Sequence, residues 1–444
     1  MIEISPEILT LIMLGGIMVG VLTGYPVAFP IGAVTLIIGF LLSGTSIFGL
    51  MYARMFSIVR SFPLLAVPLF VFMGTMLERS GIAEKMYDAL YLWLSGFRGG
   101  LAIVTVLMGT VIAACVGVIA ASVTMLVLIA LPAMIKRGYS KSLASGAVCA
   151  GGTLGILIPP SVMLVIYGPM ANLSVGKLFM AAFLPGFLLS GLYCTYIALR
   201  CLLQPELAPS VPVEDRAVPF AKKTYMLATS MLPPVILILA VLGSIFSGIA
   251  PPTEAAAVGA LAAIILAIAY RRFSWRVLKE VSLHTVRITA MIMLIAGCAF
   301  AFVGVFLGEG CGKVVEGFIL AAPFGRWGAF GMVMLIIFIL GFFIDWTGII
   351  FIIVPIVAPL APILGFDPLW YGMMICINFQ MGFLTPPFAP AIFYFRGSAS
   401  PELGITMGDI IRGVFPFVGL IIICLLLCAL FPEIILWLPA QMIK

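Results

Sequence analysis

The sequence predicts an all-α polytopic membrane protein made of two inverted repeats, each with a re-entrant helical hairpin and a broken helix. Three observations predict it. Of 444 residues, 64% are hydrophobic and 9% charged, which excludes a soluble globular domain. Most apolar stretches reach the roughly 20 residues that a helix needs to cross a bilayer. A helix-breaking signature also occurs twice. Gly155-Ile-Leu-Ile-Pro159-Pro160 lies in one apolar run and Gly382-Phe-Leu-Thr-Pro386-Pro387 in another, 227 residues further on. At that offset Gly32 matches Gly259, Gly81 matches Gly308, Pro132 matches Pro359, Gly138 matches Gly365 and Tyr167 matches Tyr394. Proline lacks a backbone donor and breaks a helix. Two breaks at corresponding places in a repeated membrane protein point to a transport site near the bilayer midplane.

The elements follow in order. No positively charged leader or small-residue cleavage site opens the chain, so 6–22 reads as a retained first span. Spans follow at 29–46 and 62–80, then an interfacial segment at 82–98. Residues 100–118 and 124–135 flank the small-residue stretch Ala120-Ala121-Ser122 and are expected to form the first hairpin (near 100–135). A broken helix over 142–168 and a span over 178–200 complete the first repeat, 1–203. The Pro- and charge-rich stretch 204–223 reads as a cytoplasmic linker. The second repeat, 224–444, has spans at 225–248, 253–270 and 288–307. Its hairpin (near 329–362) has arms 329–344 and 349–362 about Asp345-Trp346-Thr347-Gly348, followed by a broken helix over 368–395 and a last span over 411–437.

Charge supports this map. If both hairpins enter and leave on one side, each half crosses an odd number of times and the halves are inverted. With the N-terminus outside, only Arg54, Arg60, Lys177, Lys313, Arg326 and Lys444 of the 23 Lys and Arg fall outside. That is the positive-inside bias of a membrane protein, so the net charge of +6 calls for no nucleic-acid partner.

Irregular backbone at membrane depth is tolerated only where protein buries it or it lines a cavity. Freed carbonyls and hydroxyls suit a hard cation, and helix N-termini suit an anion. Each hairpin tip pairs with the broken helix that follows it. Ala120, Ser122 and Thr124 with Gly152, Thr153 and Gly155 make one candidate cation site. Asp345, Thr347 and Gly348 with Gly382 and Thr385 make a second. Substrate would meet Ser122, Pro160, Ser161, Thr347 and Pro387. The hydroxyls of Ser122 and Thr124 could equally bond back to helical carbonyls, and Thr385 could satisfy a group freed by Pro386. A carboxylate at depth costs about 2.5–3.5 kcal/mol on insertion scales and is functional by default. The alternative for Asp345 is an N-cap for the helix beginning near Thr347. Glu254, behind Pro251-Pro252-Thr253, reads as a helix cap, and Arg396 as a positive-inside anchor.

Several functions are excluded. The single histidine, His284, reads as part of a charged loop, which argues against a His-based metal site and against Ser-His-Asp chemistry. No G-x-x-x-x-G-K-[ST] loop is present to bind ATP. The nine cysteines show no C-x-x-C pair. No enzyme and no cofactor are expected.

The stretch Gly152-Thr-Leu-Gly-Ile-Leu-Ile-Pro-Pro-Ser161, after Lys136-Arg-Gly-Tyr139, resembles the large membrane subunit of tripartite ATP-independent periplasmic (TRAP) transporters, the DctM-like family. So do Phe62-Pro-Leu-Leu-Ala-Val-Pro-Leu-Phe70 and Thr385-Pro-Pro-Phe-Ala-Pro390. The similarity runs from about residue 8 to about 437. It implies an elevator-type fold of the ion-transporter superfamily in the bacterial inner membrane. It also implies Na+ as coupling ion, a carboxylate substrate, a periplasmic solute-binding protein and a small four-helix membrane subunit, here not fused ahead of residue 6. The family's first hairpin tip is usually richer in Gly and Ser than Ala120–Thr124. Phe393–Gly397 and Gly365–Trp370 resemble the branch that handles 2-oxo acids, lactate and aromatic or related monocarboxylates. A stand-alone cation-coupled carboxylate carrier is the alternative; a membrane-embedded enzyme is a distant one.

Overall fold

The computed structural model describes residues 4–94, 96–209 and 219–442. All regular structure among these residues is helical. The first half contains α1 (Pro6–Leu22), α2 (Ala28–Ser43), α3 (Ser46–Val59), α4 (Ala66–Arg79) and α5 (Ile82–Leu94). It continues with α6 (Gly100–Val116), α7 (Ile119–Lys136), α8 (Lys141–Thr153), α9 (Val162–Ala171) and α10 (Val175–Leu203). The second half contains α11 (Phe220–Phe246), α12 (Pro252–Ala269), α13 (Trp275–Gly308), α14 (Cys311–Leu320) and α15 (Gly325–Leu340). The short α16 (Trp346–Ile352), α17 (Val354–Val357) and α18 (Leu360–Ile363) follow. Then come α19 (Pro368–Leu384), α20 (Pro390–Ser398), α21 (Met407–Leu430) and α22 (Glu433–Ala440). Among the described residues, seven helices are long and apolar enough to cross a membrane, and several shorter apolar helices accompany them.

Local chemistry sets the helix ends. Ser174, Ser274, Asp345, Asp367 and Thr406 cap helix N-termini with side-chain oxygens, and Thr406 forms a capping box with Asp409. Gly138 and Gly365 stop α7 and α18 in the left-handed region, at φ of 76° and 71°, which glycine adopts without steric cost. The two central breaks fall at prolines. After α8 the chain makes a 3₁₀ turn and passes Pro159-Pro160 before α9; after α19 it passes Pro386-Pro387 before α20. Both Pro-Pro bonds are cis.

Adding 227 to the bounds of α2, α4, α6, α8 and α9 lands on α12, the second part of α13, α15, α19 and α20. Packing follows the same rule. α4 packs on α12 and α2 on α13, while α20 packs on α7 and α9 on α16. One arm of each hairpin thus touches the broken helix of the other half, while α6 packs on α8 and α15 on α19 within their own halves. The feet of each hairpin also meet. The Leu101 amide donates to the Tyr139 hydroxyl oxygen at 3.3 Å, and the Trp327 ring lies 5.1 Å from Phe366. Glycine permits the closest approaches in the centre: a Cβ on Gly146 would stand 2.2 Å from the Gly413 carbonyl oxygen, where α8 crosses α21. α8, α9 and α19 are almost wholly buried. α1, α2, α3 and α11 present large apolar side chains outward, such as Leu11, Phe29, Tyr52 and Leu239. The broken helices are therefore the core, and the outer helices offer an apolar surface suited to lipid.

The structure differs from the sequence-based map in several places. Gly44 ends the second span early, and α3 follows as a separate helix; Arg54 and two serines hide it from a hydropathy reading. The arm expected over 349–362 is three short helices, because Pro355, Pro359 and Pro362 remove donors in succession. The span expected at 288–307 is the last part of the 34-residue α13, so His284 lies on a helix and not in a loop. α14 was not anticipated, and the last span is divided at Pro432 into α21 and α22. The first hairpin turns at Gly117-Val118, with Gly117 at φ of 64°; Ala120, Ala121, Ser122 and Thr124 form the first turns of α7. Residues 210–218 of the 204–223 linker, Arg216 among them, and Lys444 lie outside the described residues; among the described part of the linker, a 3₁₀ turn covers Pro205–Leu207 and α11 has begun by Phe220.

Candidate functional site

A large cavity, about 630 Å³, is lined by both hairpin tips and both broken helices. Val118 and Ile119 bring the N-terminal end of α7, and Val162 that of α9. Trp346 and Thr347 bring the start of α16, and Pro390 that of α20. Helix N-termini carry unsatisfied N–H groups and about half a positive charge each. Their convergence favours a bound anion. The ionisable lining residues are Glu78 and Arg79 on α4, His284 on α13, Asp345 and Tyr394.

Asp345 shows why the second half of the site folds as it does. It caps α16, taking the amide of Thr347 at 3.3 Å and its hydroxyl at 2.6 Å on one carboxylate oxygen, Oδ2. Its carboxylate therefore keeps lone pairs for another partner. Beside it is a cavity of only about 10 Å³, lined by Asp345, Gly341, Gly382 and Asn378 among others, close to the size of a single water or small ion. The Asn378 amide donates to the Met334 carbonyl oxygen at 2.8 Å, while its buried Oδ1 has no partner. A carboxylate and an orphaned amide oxygen about an ion-sized space are donors of the kind a hard monovalent cation takes, so these residues fit Na+. Among the described residues no three of His, Cys, Asp or Glu cluster to hold a metal ion.

The other residues singled out from sequence divide as follows. Ala120, Thr124 and Thr347 line the large cavity, and Gly382 lines the small one. Ser122, Thr153 and Thr385 each donate to a carbonyl oxygen of their own helix or its preceding turn, those of Val118, Ala150 and Met381. The hydroxyl of Ser161 bonds to the Ile156 carbonyl oxygen. Thr124 shares a 3.0 Å hydrogen bond with Ser398 on α20. Gly152 lets the first hairpin approach, since a Cβ there would meet Val123 Cγ2 at 2.4 Å. The Pro160 carbonyl lies against Gly117, 3.2 Å from where a Cβ would stand. Gly155 and Gly348 are buried, and Pro387 is exposed; none of the three lines either cavity. Arg396 donates to the Ile405 carbonyl oxygen at 2.9 Å. Sequence reasoning missed Asn378, Glu78, His284 and Tyr394. Asn378 did give a signal, as one of two amides, with Gln380, within a largely apolar 17-residue helix. Glu78 and His284 gave none, because they reach the cavity from α4 and α13, remote in sequence from the breaks.

A bundle of apolar spans around a cavity of broken helices defines a multi-pass membrane transport protein. The comparisons make this specific. The sequence profile of the tripartite ATP-independent periplasmic transporter, DctM component, matches residues 14–434, and the chain belongs to that family. It is 32% identical over 389 residues to the C4-dicarboxylate TRAP transporter large permease protein DctM of Pseudomonas aeruginosa, covering 87% of this chain and 88% of that one. It is 30% identical to the ectoine/5-hydroxyectoine TRAP transporter large permease protein UehC of Ruegeria pomeroyi, covering 94% and 95%. The fold is shared with the YdaH transporter of Alcanivorax borkumensis, at a TM-score of 0.60 and 16% identity over 89% of each chain. The chain is a TRAP large permease and not an enzyme.

Proposed function

We propose that this permease carries out Na+-coupled uptake of an organic carboxylate across the bacterial inner membrane. The observation that carries the reading is the large cavity where helix N-termini from both halves converge beside Asp345. The N-termini suit a carboxylate. The charged lining opposes one, since Glu78 and Asp345 stand against the guanidinium of Arg79. A cation at Asp345 and Asn378 would offset that repulsion, which gives a physical reason for coupling. A second cation at the first hairpin, near Ala120, Ser122, Thr124, Gly152, Thr153 and Gly155, follows from pseudo-symmetry. Two Na+ with one monoanion would move one net charge inward, worth about 2.3 kcal/mol per 100 mV.

The touching feet of each hairpin support non-crossing hairpins and hence two inverted halves, 1–203 and 224–444. α6–α9 and α15–α20 would form the mobile part of an elevator, moving against a scaffold that includes α2, α4, α12 and α13. Substrate would arrive on a periplasmic binding protein, and a small four-helix subunit would cover part of the exposed outer face. A carrier that works alone is the second reading.

The test is uptake of radiolabelled C4-dicarboxylates and 2-oxo acids into proteoliposomes, with each partner and each gradient supplied or withheld. Uptake is expected only with the binding protein, the small subunit and an inward Na+ gradient. Equal uptake by the permease alone would favour the stand-alone carrier, and uptake indifferent to Na+ would defeat the coupling.

A further inference from the structure

We propose that Arg79, on the scaffold side of the large cavity, is a second binding station for the carboxylate, and that Glu280 is the built-in carboxylate it exchanges for substrate. This rests on reading that cavity as the transport path. Arg79 ends α4 and lines the cavity together with Thr75, Glu78 and His284. It is the one guanidinium in the lining. Its partner is Glu280, one helical turn before His284 on α13 and therefore on the same face.

The geometry of this pair is unequal in a useful way. Glu280 Oε1 accepts a 3.0 Å hydrogen bond from Arg276 Nε. Glu280 Oε2 stands 3.7 Å from Arg79 Nη1, beyond hydrogen-bond reach. The Arg79 and Glu280 side chains are 54% and 42% exposed, so water screens their attraction and parting them costs little. When Arg79 turns away, Glu280 keeps Arg276 and is not left unpaired. Arg79 is thus a guanidinium held loosely at the edge of the cavity, and its planar fork can take a carboxylate through two parallel N–H bonds. A substrate leaving the helix N-termini would meet Arg79 next, and Glu280 would then displace it. This makes Arg79 a release station that resets itself.

The experiment needs no known substrate. Ala121 lines the same cavity. In Ala121→Cys, the rates of modification by a sulfonate-bearing and a trimethylammonium-bearing methanethiosulfonate reagent are measured in the purified full-length chain, against a parent without the added cysteine. Their ratio reports the sign of the local potential. Arg79→Gln is expected to lower the anionic-to-cationic ratio on the order of five-fold, the effect of removing one unit charge from the cavity both residues line on two oppositely charged reagents. Arg79→Lys, which keeps the charge, should restore it, and Glu280→Gln should raise it. Acetate, compared with chloride at matched ionic strength, should slow the sulfonate reagent in Glu280→Gln and not in Arg79→Gln. A ratio that moves less than two-fold in both neutral variants, or equal acetate protection with and without Arg79, overturns the proposal. Loss of Na+ dependence in the uptake assay would defeat the proposed function and leave this ratio untouched.

Discussion

Replacing Asp345 by Asn separates the helix cap that the structure shows from the cation role proposed for the same residue. As N-cap of α16, Asp345 accepts hydrogen bonds from the Thr347 amide and hydroxyl. Asn caps about as well as Asp, so Asp345→Asn keeps the helix end and deletes only the charge. If the carboxylate and Asn378 Oδ1 hold Na+ in the small cavity they line, losing a charge-assisted ligand should cost about 1.5–3 kcal/mol. At about 1.4 kcal/mol per ten-fold, the Na+ concentration for half-saturation should rise by roughly ten- to hundred-fold. The assay is a Na+ titration of the melting temperature in detergent, with K+ as control. Saturating Na+ at about 100 times its Kd should add about 2.7 kcal/mol of stability to the unmodified protein. Asp345→Ala should show the same displaced titration and also a lower baseline, by about 1 kcal/mol, for the lost cap. If the Asp345→Asn titration superimposes on that of the unmodified protein, the cation assignment at Asp345 is wrong and the residue is a cap alone.

Two further outcomes follow from packing and charge. Gly152→Ala would set a Cβ 2.4 Å from Val123 Cγ2 and 3.0 Å from its Cα. It should lower stability by about 1–3 kcal/mol and impair uptake, because the strain falls where the first hairpin meets the first broken helix; an unchanged melting temperature would refute the close approach. Asp88, on α5, has its carboxyl pushed above the usual range by burial and by Glu84 one turn away. A raised carboxyl penalises the charged folded state: the penalty is absent below the unfolded pKa and complete above the folded one. Asp88→Asn should therefore be the more stable protein at pH 7, by about 0.2–0.5 kcal/mol for a relieved like-charge pair. That advantage should vanish in melting curves taken near pH 4.

Periodicity and proline placement alone made the helical class legible, because a chain that is 64% hydrophobic can satisfy its backbone in lipid only within helices or closed barrels. The two breaks were readable for a local reason: Pro159-Pro160 and Pro386-Pro387 cannot donate. Asp345 stood out because a carboxylate in an apolar run is costly wherever the chain folds. What only the tertiary structure decided is which breaks meet. The sequence paired each hairpin with the broken helix that follows it, and α7 does pack on α8 and α15 on α19; it gave no sign that α20 would also pack on α7 and α9 on α16, so that the large cavity is shared between the halves. Neither Glu78, Arg79 nor His284 is unusual for its own segment; α4 and α13 carry them to the cavity through contacts far apart in sequence. Asn378 needed the fold as well, since an amide oxygen becomes a cation donor only once its surroundings leave it without a partner. Local backbone chemistry is written residue by residue and can be read from sequence, but long-range packing chooses which of those local features face one another.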